Sequence, residues 1–148
     1  MREEDRNMKH WALQLYDYHV WANERVFRHL SDLPEEVSRR ELQSVFPSVF
    51  DTLVHMYRTD NTWLLAMTGR FEEIPAAGRR ILEEAREMRL PDLEARFRDM
   101  AERYRNFLNT VDLEAVTAYP HPQYARSAPG MPRSCSMSST TARTIAAT

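Results

Sequence analysis

Several features are scarce in this sequence, and each scarcity excludes a class of protein. The 148 residues include 1 cysteine, Cys135, so no internal disulfide can form. No apolar run approaches membrane-spanning length, and the charged N-terminus, MREEDRNMKH, is unlike a secretory signal. The formal net charge is -2, so no excess of basic residues attracts nucleic acid or an anionic membrane. We therefore expect a cytoplasmic protein with no nucleic-acid or membrane partner.

Apolar residues recur every three or four positions from residue 8 to about 31, which predicts an amphipathic helix. The stripe comprises Leu13, Tyr16, Val20, Phe27 and Leu30. Asn23 falls inside it, and we interpret this amide as a hydrogen-bonded polar group of the core rather than a ligand contact. A second apolar cluster lies on roughly the opposite side and comprises Trp11, Tyr18, Trp21 and Ala22. Two apolar sides predict two neighbours for this helix.

A second helix is predicted from about Val49 to Met67. Ser48 and Asp51 have the spacing of an N-terminal cap, and Gly69 supplies the stop. Because the apolar positions repeat at helical spacing between these two signals, both ends of the helix are defined by the sequence.

A third long helix is predicted from about Leu93 to Val111, after the start signal of Pro91, and a shorter helical stretch spans Arg79 to Met88. No convincing strand pattern appears. Each long helix has an apolar stripe that needs a partner, so the predicted fold is an all-α, antiparallel four-helix bundle.

The sequence after residue 116 does not supply the fourth helix. From Thr117 to Thr148 there is no Asp, Glu, Lys or Leu, whereas the preceding part holds all 22 acidic residues. As written, this composition predicts a disordered tail. We therefore divide the chain into a helical bundle over residues 1–116 and an aberrant tail over residues 117–148 in place of helix four.

A change of reading frame is another explanation for the abrupt change of composition. If each new codon takes the wobble base of one residue and the first two bases of the next, Arg133 to Thr148 decodes as VVQHVVNHGTYHRGN within synonymous codons. This string contains H-x-x-x-H, a spacing that sets two imidazoles on one helical face, as a metal site requires. We infer a frame change between about codons 112 and 132.

The chain resembles the DinB-like family, also called DinB/YfiT-like metalloenzymes, which are four-helix bundles. The resemblance covers about residues 8 to 116 and rests on LYDYHVWANERVF, FPSVFDTLVHMYRTDNTWLLAMTG and the alternate-frame NHGTYHRGN. It implies a divalent metal, Zn or Ni, held by one histidine of helix two and two histidines of helix four. Only the first carries over, to His55, because the Thr140/Thr141 and Thr144/Ile145 junctions occupy the other two positions.

Other residues are candidates for the surroundings of such a site. Asp60 can be a partner for a metal-bound imidazole, reach solvent, or pair with an arginine of a neighbouring helix. Tyr18, Trp21 and Trp63 can line a pocket, although aromatic residues at helical spacing also suit packing or a dimer interface.

Each histidine also has an interpretation without metal. His55 shares a helical face with threonines rather than with leucines, which is typical of a solvated histidine. The other histidines show no ligand spacing and are interpreted as surface residues: His10, His19, His29 and His121.

The resemblance implies a divalent-metal-dependent enzyme of the hydrolase or small-thiol S-transferase type, with a small-molecule or thiol substrate. With two of the three histidines missing, we expect the chain as written to be inactive and to bind metal weakly or not at all. The alternative is a non-catalytic bundle that homodimerises through its aromatic face. A third hypothesis is that the tail is genuine and serves as a disordered interaction segment.

Overall fold

The computed structural model describes residues 10–115, which form five α-helices, one 3-10 turn and no strand. The helices are α1 (Trp11–Ser31), α2 (Glu35–Arg39), α3 (Val49–Met67), α4 (Ile74–Ala85) and α5 (Leu90–Thr110), and the 3-10 turn is Phe71–Glu73. They pack together as a helical bundle, which confirms the all-α prediction. The expected position of helix four, the predicted tail and His121 lie outside the described residues.

Helix α1 buries the predicted stripe against α5. Tyr16, Phe27 and Leu30 are buried, and so is Asn23. The second neighbour of α1 is α2, but α2 does not cover the aromatic cluster. Trp11, Tyr18 and Trp21 keep 42%, 64% and 52% of their surface exposed. The sequence therefore predicted two neighbours, and the structure leaves the second apolar side open.

Helix α3 begins and ends where its local signals predict. The Ser48 hydroxyl accepts from the Asp51 backbone N–H at 3.1 Å and donates to the Asp51 carboxylate at 2.6 Å. At the other end Gly69 has φ +75°, a backbone conformation that side chains with a Cβ rarely adopt. Helix α3 packs against α2, α4 and α5, so these two signals define the central element of the bundle.

The short helix α2 was not predicted, because tertiary contacts rather than a long apolar pattern stabilise it. Ser38 is buried, and the Arg39 guanidinium lies 3.8 Å from the centre of the Phe50 ring. Arg39 also donates to the backbone carbonyl of Met88. These contacts hold α2 against the start of α3 and the loop before α5.

Two other helix boundaries differ from prediction. Helix α4 begins at Ile74, earlier than the predicted Arg79, because Pro75 is tolerated in the first helical turn, where its missing N–H costs nothing. Helix α5 ends at Thr110, where Val111 turns to an extended conformation and stays exposed. Near the end of α5 the buried apolar residue is therefore Leu108 rather than Val111.

Aromatic pairs join α5 to the other two long helices, and the pair with α3 is Tyr57 and Phe97, with ring centroids 5.8 Å apart. Tyr16 of α1 stacks on Tyr104 of α5 with ring centroids 4.7 Å apart, and Phe27 meets Phe97 edge-on at 5.1 Å. Two cavities remain among these helices: the larger is lined chiefly by α1 and α5, and the smaller by α1, α3 and one residue of α5. Within residues 10–115, no helix is both long enough and apolar enough to span a membrane.

Candidate functional site

Two adjoining cavities lie between the long helices. The larger has a volume of about 200 Å³ and the smaller about 120 Å³. Tyr16, His19 and Asp60 line both of them. The smaller cavity is completed by His55, Met56, Thr59, Trp63 and Tyr104. The candidate site residues His55, Asp60 and Trp63 therefore meet around one space.

The predicted metal ligand, His55, lies on α3 and is half-buried in the wall of the smaller cavity. Its ring stacks on Phe46, with centroids 4.5 Å apart. Phe46 belongs to the segment before α3, so the chain covers one face of the imidazole just before the helix begins. His55 is thus not the freely solvated side chain that its threonine neighbours indicate.

The described residues alone do not make up a metal centre. Over residues 10–115 there is no group of three or more His, Cys, Asp or Glu side chains placed to hold an ion. Asp60, the predicted partner of a metal-bound imidazole, forms its side-chain hydrogen bond with His19. A set of three such ligands that includes His55 therefore needs a residue from outside this part of the chain or from another molecule.

His19 is the functional candidate that the sequence reasoning missed. It was interpreted as a surface residue, which is wrong, because only 25% of its side chain is exposed. Its Nε2 lies 3.0 Å from Asp60 Oδ2 and 3.1 Å from the Asn23 amide nitrogen. The signal that could have found it is the i, i+4 spacing of His19 and Asn23, which places both on the buried side of α1.

Two buried tyrosines support this cluster. The Tyr104 hydroxyl donates to the backbone carbonyl of Asp60 at 2.6 Å, which connects α5 to the turn of α3 that presents the carboxylate. Burial and then the nearby Asp60 charge raise the pKa of both Tyr16 and Tyr104 well above the ordinary tyrosine value. Both hydroxyls therefore stay protonated near neutral pH, and the Tyr104 hydroxyl serves as a donor rather than a base.

Of the other pocket candidates, some line a cavity and some do not. Trp63 lies in the wall of the smaller cavity. Tyr18 and Trp21 lie on the exposed side of α1, with ring centroids 5.5 Å apart, and neither lines the two cavities. Asn23 lines the larger cavity as a buried, hydrogen-bonded amide, as predicted.

Comparison with known proteins identifies the family of this chain. A family model described as "DinB family" matches residues 7–134. Protein DinB of Bacillus subtilis (strain 168) is 35% identical over 102 residues, which cover 68% of this chain and 59% of that protein. The chain thus matches less than two thirds of that relative's length. No solved structure matches the chain.

Proposed function

Because the chain belongs to the DinB family, we propose that it is a form of a divalent-metal-dependent enzyme in which His55 is the one metal ligand retained. The enzyme is of the hydrolase or small-thiol S-transferase type. The position of His55 carries the proposal, since it lies in a cavity wall with no companion ligands among residues 10–115. One imidazole does not hold Zn²⁺ or Ni²⁺ against water, so the chain as written is inactive.

The family match extends beyond the described helices. It continues past Val116 and ends at residue 134. The alternate-frame decoding begins at Arg133, so the proposed frame change precedes that residue and lies between about codons 112 and 132.

The smaller cavity supports a small-molecule substrate of modest polarity. Its wall combines apolar surface from Met56, Trp63 and Tyr104 with the polar side chains of His19 and Asp60. Such a mixture is typical of small-ligand sites, where apolar surface provides affinity and a few polar groups fix orientation. A small thiol or electrophile suits this cavity.

We also propose a cytoplasmic location, which suits a chain with a single cysteine and a charged N-terminus.

Calorimetric titration with Zn²⁺ and Ni²⁺ tests this proposal. The chain as printed should bind neither ion stoichiometrically. A chain carrying the alternate-frame terminus should bind one equivalent and lose it on His55→Ala. The matched control is His29→Ala, because His29 is an exposed histidine of α1. Tight, stoichiometric metal in the printed chain would contradict the proposal.

A second candidate function is homodimerisation through the aromatic face, which consists of Trp11, Tyr18, Trp21 and Ala22 on α1. The observation that favours it is exposure, since Trp11, Tyr18 and Trp21 keep 42%, 64% and 52% of their surface accessible. Contiguous apolar surface of this kind marks association sites.

Sedimentation velocity over a range of protein concentrations tests the dimer. Trp21→Ser should shift the distribution toward monomer if the aromatic face is the interface. Leu82→Ser provides the matched control, because Leu82 of α4 is also an apolar residue with 44% exposure. An equal shift in both variants, or a monomeric parent protein, would contradict the interface.

A further inference from the structure

Two hydrogen-bond contacts of His19 bear on which ring nitrogen carries the proton, and they make opposite demands on Nε2, since the Asn23 amide nitrogen only donates and the Asp60 carboxylate only accepts. Within residues 10–115, both polar contacts of the ring are made by Nε2, one with Asp60 and one with Asn23. An ionised carboxylate only accepts, so Asp60 requires a hydrogen on Nε2, and this charge-assisted bond is the stronger of the two. The Asn23 amide can turn to present its oxygen instead. Neutral His19 is therefore the Nε2–H tautomer, with a lone pair on Nδ1.

We propose that His19 and Asp60 form a proton-accepting dyad for a neutral weak acid that binds in the smaller cavity, with Nδ1 of His19 as the base. Asp60 is a positioning residue in this account, because it holds the tautomer and stabilises the imidazolium that forms. The arrangement follows the general logic of a carboxylate that orients a histidine base. It requires neither a metal nor the two absent histidine ligands, so it goes beyond the function proposed above.

The lining of the two cavities indicates the class of ligand. The larger cavity is acidic, with four carboxylates and two guanidinium groups in its wall: Glu24, Asp60, Glu94, Glu102, Arg98 and Arg105. This charge disfavours a ligand that arrives as an anion. In the smaller cavity Asp60 is the one formally charged lining residue, and aromatic and thioether side chains surround it. A neutral acid with an apolar body, such as a phenol or a thiol, suits that environment.

The proton transfer is a balanced single step. The X–H bond of the bound acid breaks, and the proton moves to Nδ1 of His19. The electron pair stays on X, so the ligand becomes an anion beside an imidazolium that still donates from Nε2 to Asp60. When the anion leaves or reacts, the proton returns to solvent from Nδ1.

The probe that tests this step is p-nitrophenol, whose anion absorbs at longer wavelength than the neutral phenol. At a pH equal to the phenol's own pKa, about half of the free probe is ionised, so complete transfer on saturation raises the anion absorbance up to about twofold. The unmodified chain should show this rise with a stoichiometry of one.

His19→Gln is the sharpest variant, because the glutamine amide can still donate to Asp60 while offering no basic nitrogen. Its anion absorbance should remain that of free probe. His29→Gln, an exposed position on the same helix, should behave as the unmodified chain. An equal rise in His19→Gln, binding without a rise in the unmodified chain, or no binding at all would overturn the proposal.

The tautomer of His19 tests the role of Asp60, because a purely structural role of Asp60 would leave that tautomer unchanged. Long-range ¹H–¹⁵N spectra should report the Nε2–H tautomer of His19 in the unmodified chain. In Asp60→Ala the Asn23 amide becomes free to donate to Nε2, so the proton should move to Nδ1 and the probe should stay neutral. An unchanged tautomer in Asp60→Ala, or an Nδ1–H tautomer in the unmodified chain, would overturn the assignment.

Discussion

Removal of the Tyr104 hydroxyl should measure how much its hydrogen bond between α5 and α3 contributes to the free energy of unfolding. The Tyr104 hydroxyl donates to the Asp60 carbonyl at 2.6 Å, and the phenol ring is only 2% exposed. A typical intramolecular hydrogen bond contributes about 0.5–1.5 kcal/mol net, and a buried group left unpaired costs about 1–3 kcal/mol. We therefore expect Tyr104→Phe to lower the free energy of unfolding by about 1–2 kcal/mol.

The magnitude follows from what the substitution preserves. Phenylalanine keeps the stack on Tyr16, where the ring centroids are 4.7 Å apart, so little apolar contact is lost. The helix ladder still offers the Asp60 carbonyl its own backbone partner, which keeps the cost below the upper end of the range for an unpaired buried group. The loss therefore reports the bond between α5 and α3 rather than a cavity.

Urea unfolding followed by far-UV circular dichroism is the appropriate assay, because the midpoint should fall while the slope stays unchanged. Tyr18→Phe is the matched control, since Tyr18 is 64% exposed and its substitution should be neutral. A Tyr104→Phe protein as stable as its parent would refute this reasoning. It would show that the hydroxyl gains nothing over its contact with water.

Three further predictions concern stability. Ser48→Ala removes the N-terminal cap of α3 and should cost about 0.5–2 kcal/mol, measured by thermal unfolding. Phe97→Ala truncates a side chain that is 8% exposed and packs edge-on against Phe27, and should cost about 3–5 kcal/mol in urea unfolding. The hydrogen bond from Arg89 lowers the pKa of Glu35, so its stabilising effect is present above the unfolded-state pKa and is lost as the pH falls through the folded-state value. Glu35→Gln should therefore flatten the acid side of the stability profile, and an unchanged profile would show that this exposed pair contributes nothing.

Local signals account for the part of the fold that the sequence could predict. The cap of Ser48 and the positive φ of Gly69 lie within a few residues of the ends of α3, so sequence alone defines that helix. The apolar stripe of α1 likewise includes all of its buried residues, although its members Leu13 and Val20 are only partly buried. Neither conclusion needs knowledge of any residue distant in the chain.

Long-range contacts account for what could not be predicted. Helix α2 depends on Arg39 packing over Phe50 and bonding to Met88, a residue far along the chain. His19 and Asp60 are 41 residues apart and meet only because α1 and α3 share a neighbour. An apolar stripe predicts the buried face of one helix. It does not predict which polar side chains on the buried faces of two helices will be in contact.

The candidate metal site falls between these cases. The resemblance located His55, and the structure places it in a cavity wall, yet the remaining ligands were inferred from a reading frame that the protein sequence does not contain. Residues 10–115 do not provide a set of three ligands. The coding sequence therefore decides whether the other two histidines exist.

The nucleotide sequence of the 3′ end of the coding region tests the central claim most directly. The account predicts one extra or missing base between about codons 112 and 132, after which the corrected frame reads through the H-x-x-x-H of helix four. With that base corrected, the chain gains the two histidines that His55 lacks. An intact frame through Thr148 would contradict the account and favour a non-catalytic bundle with a genuine tail.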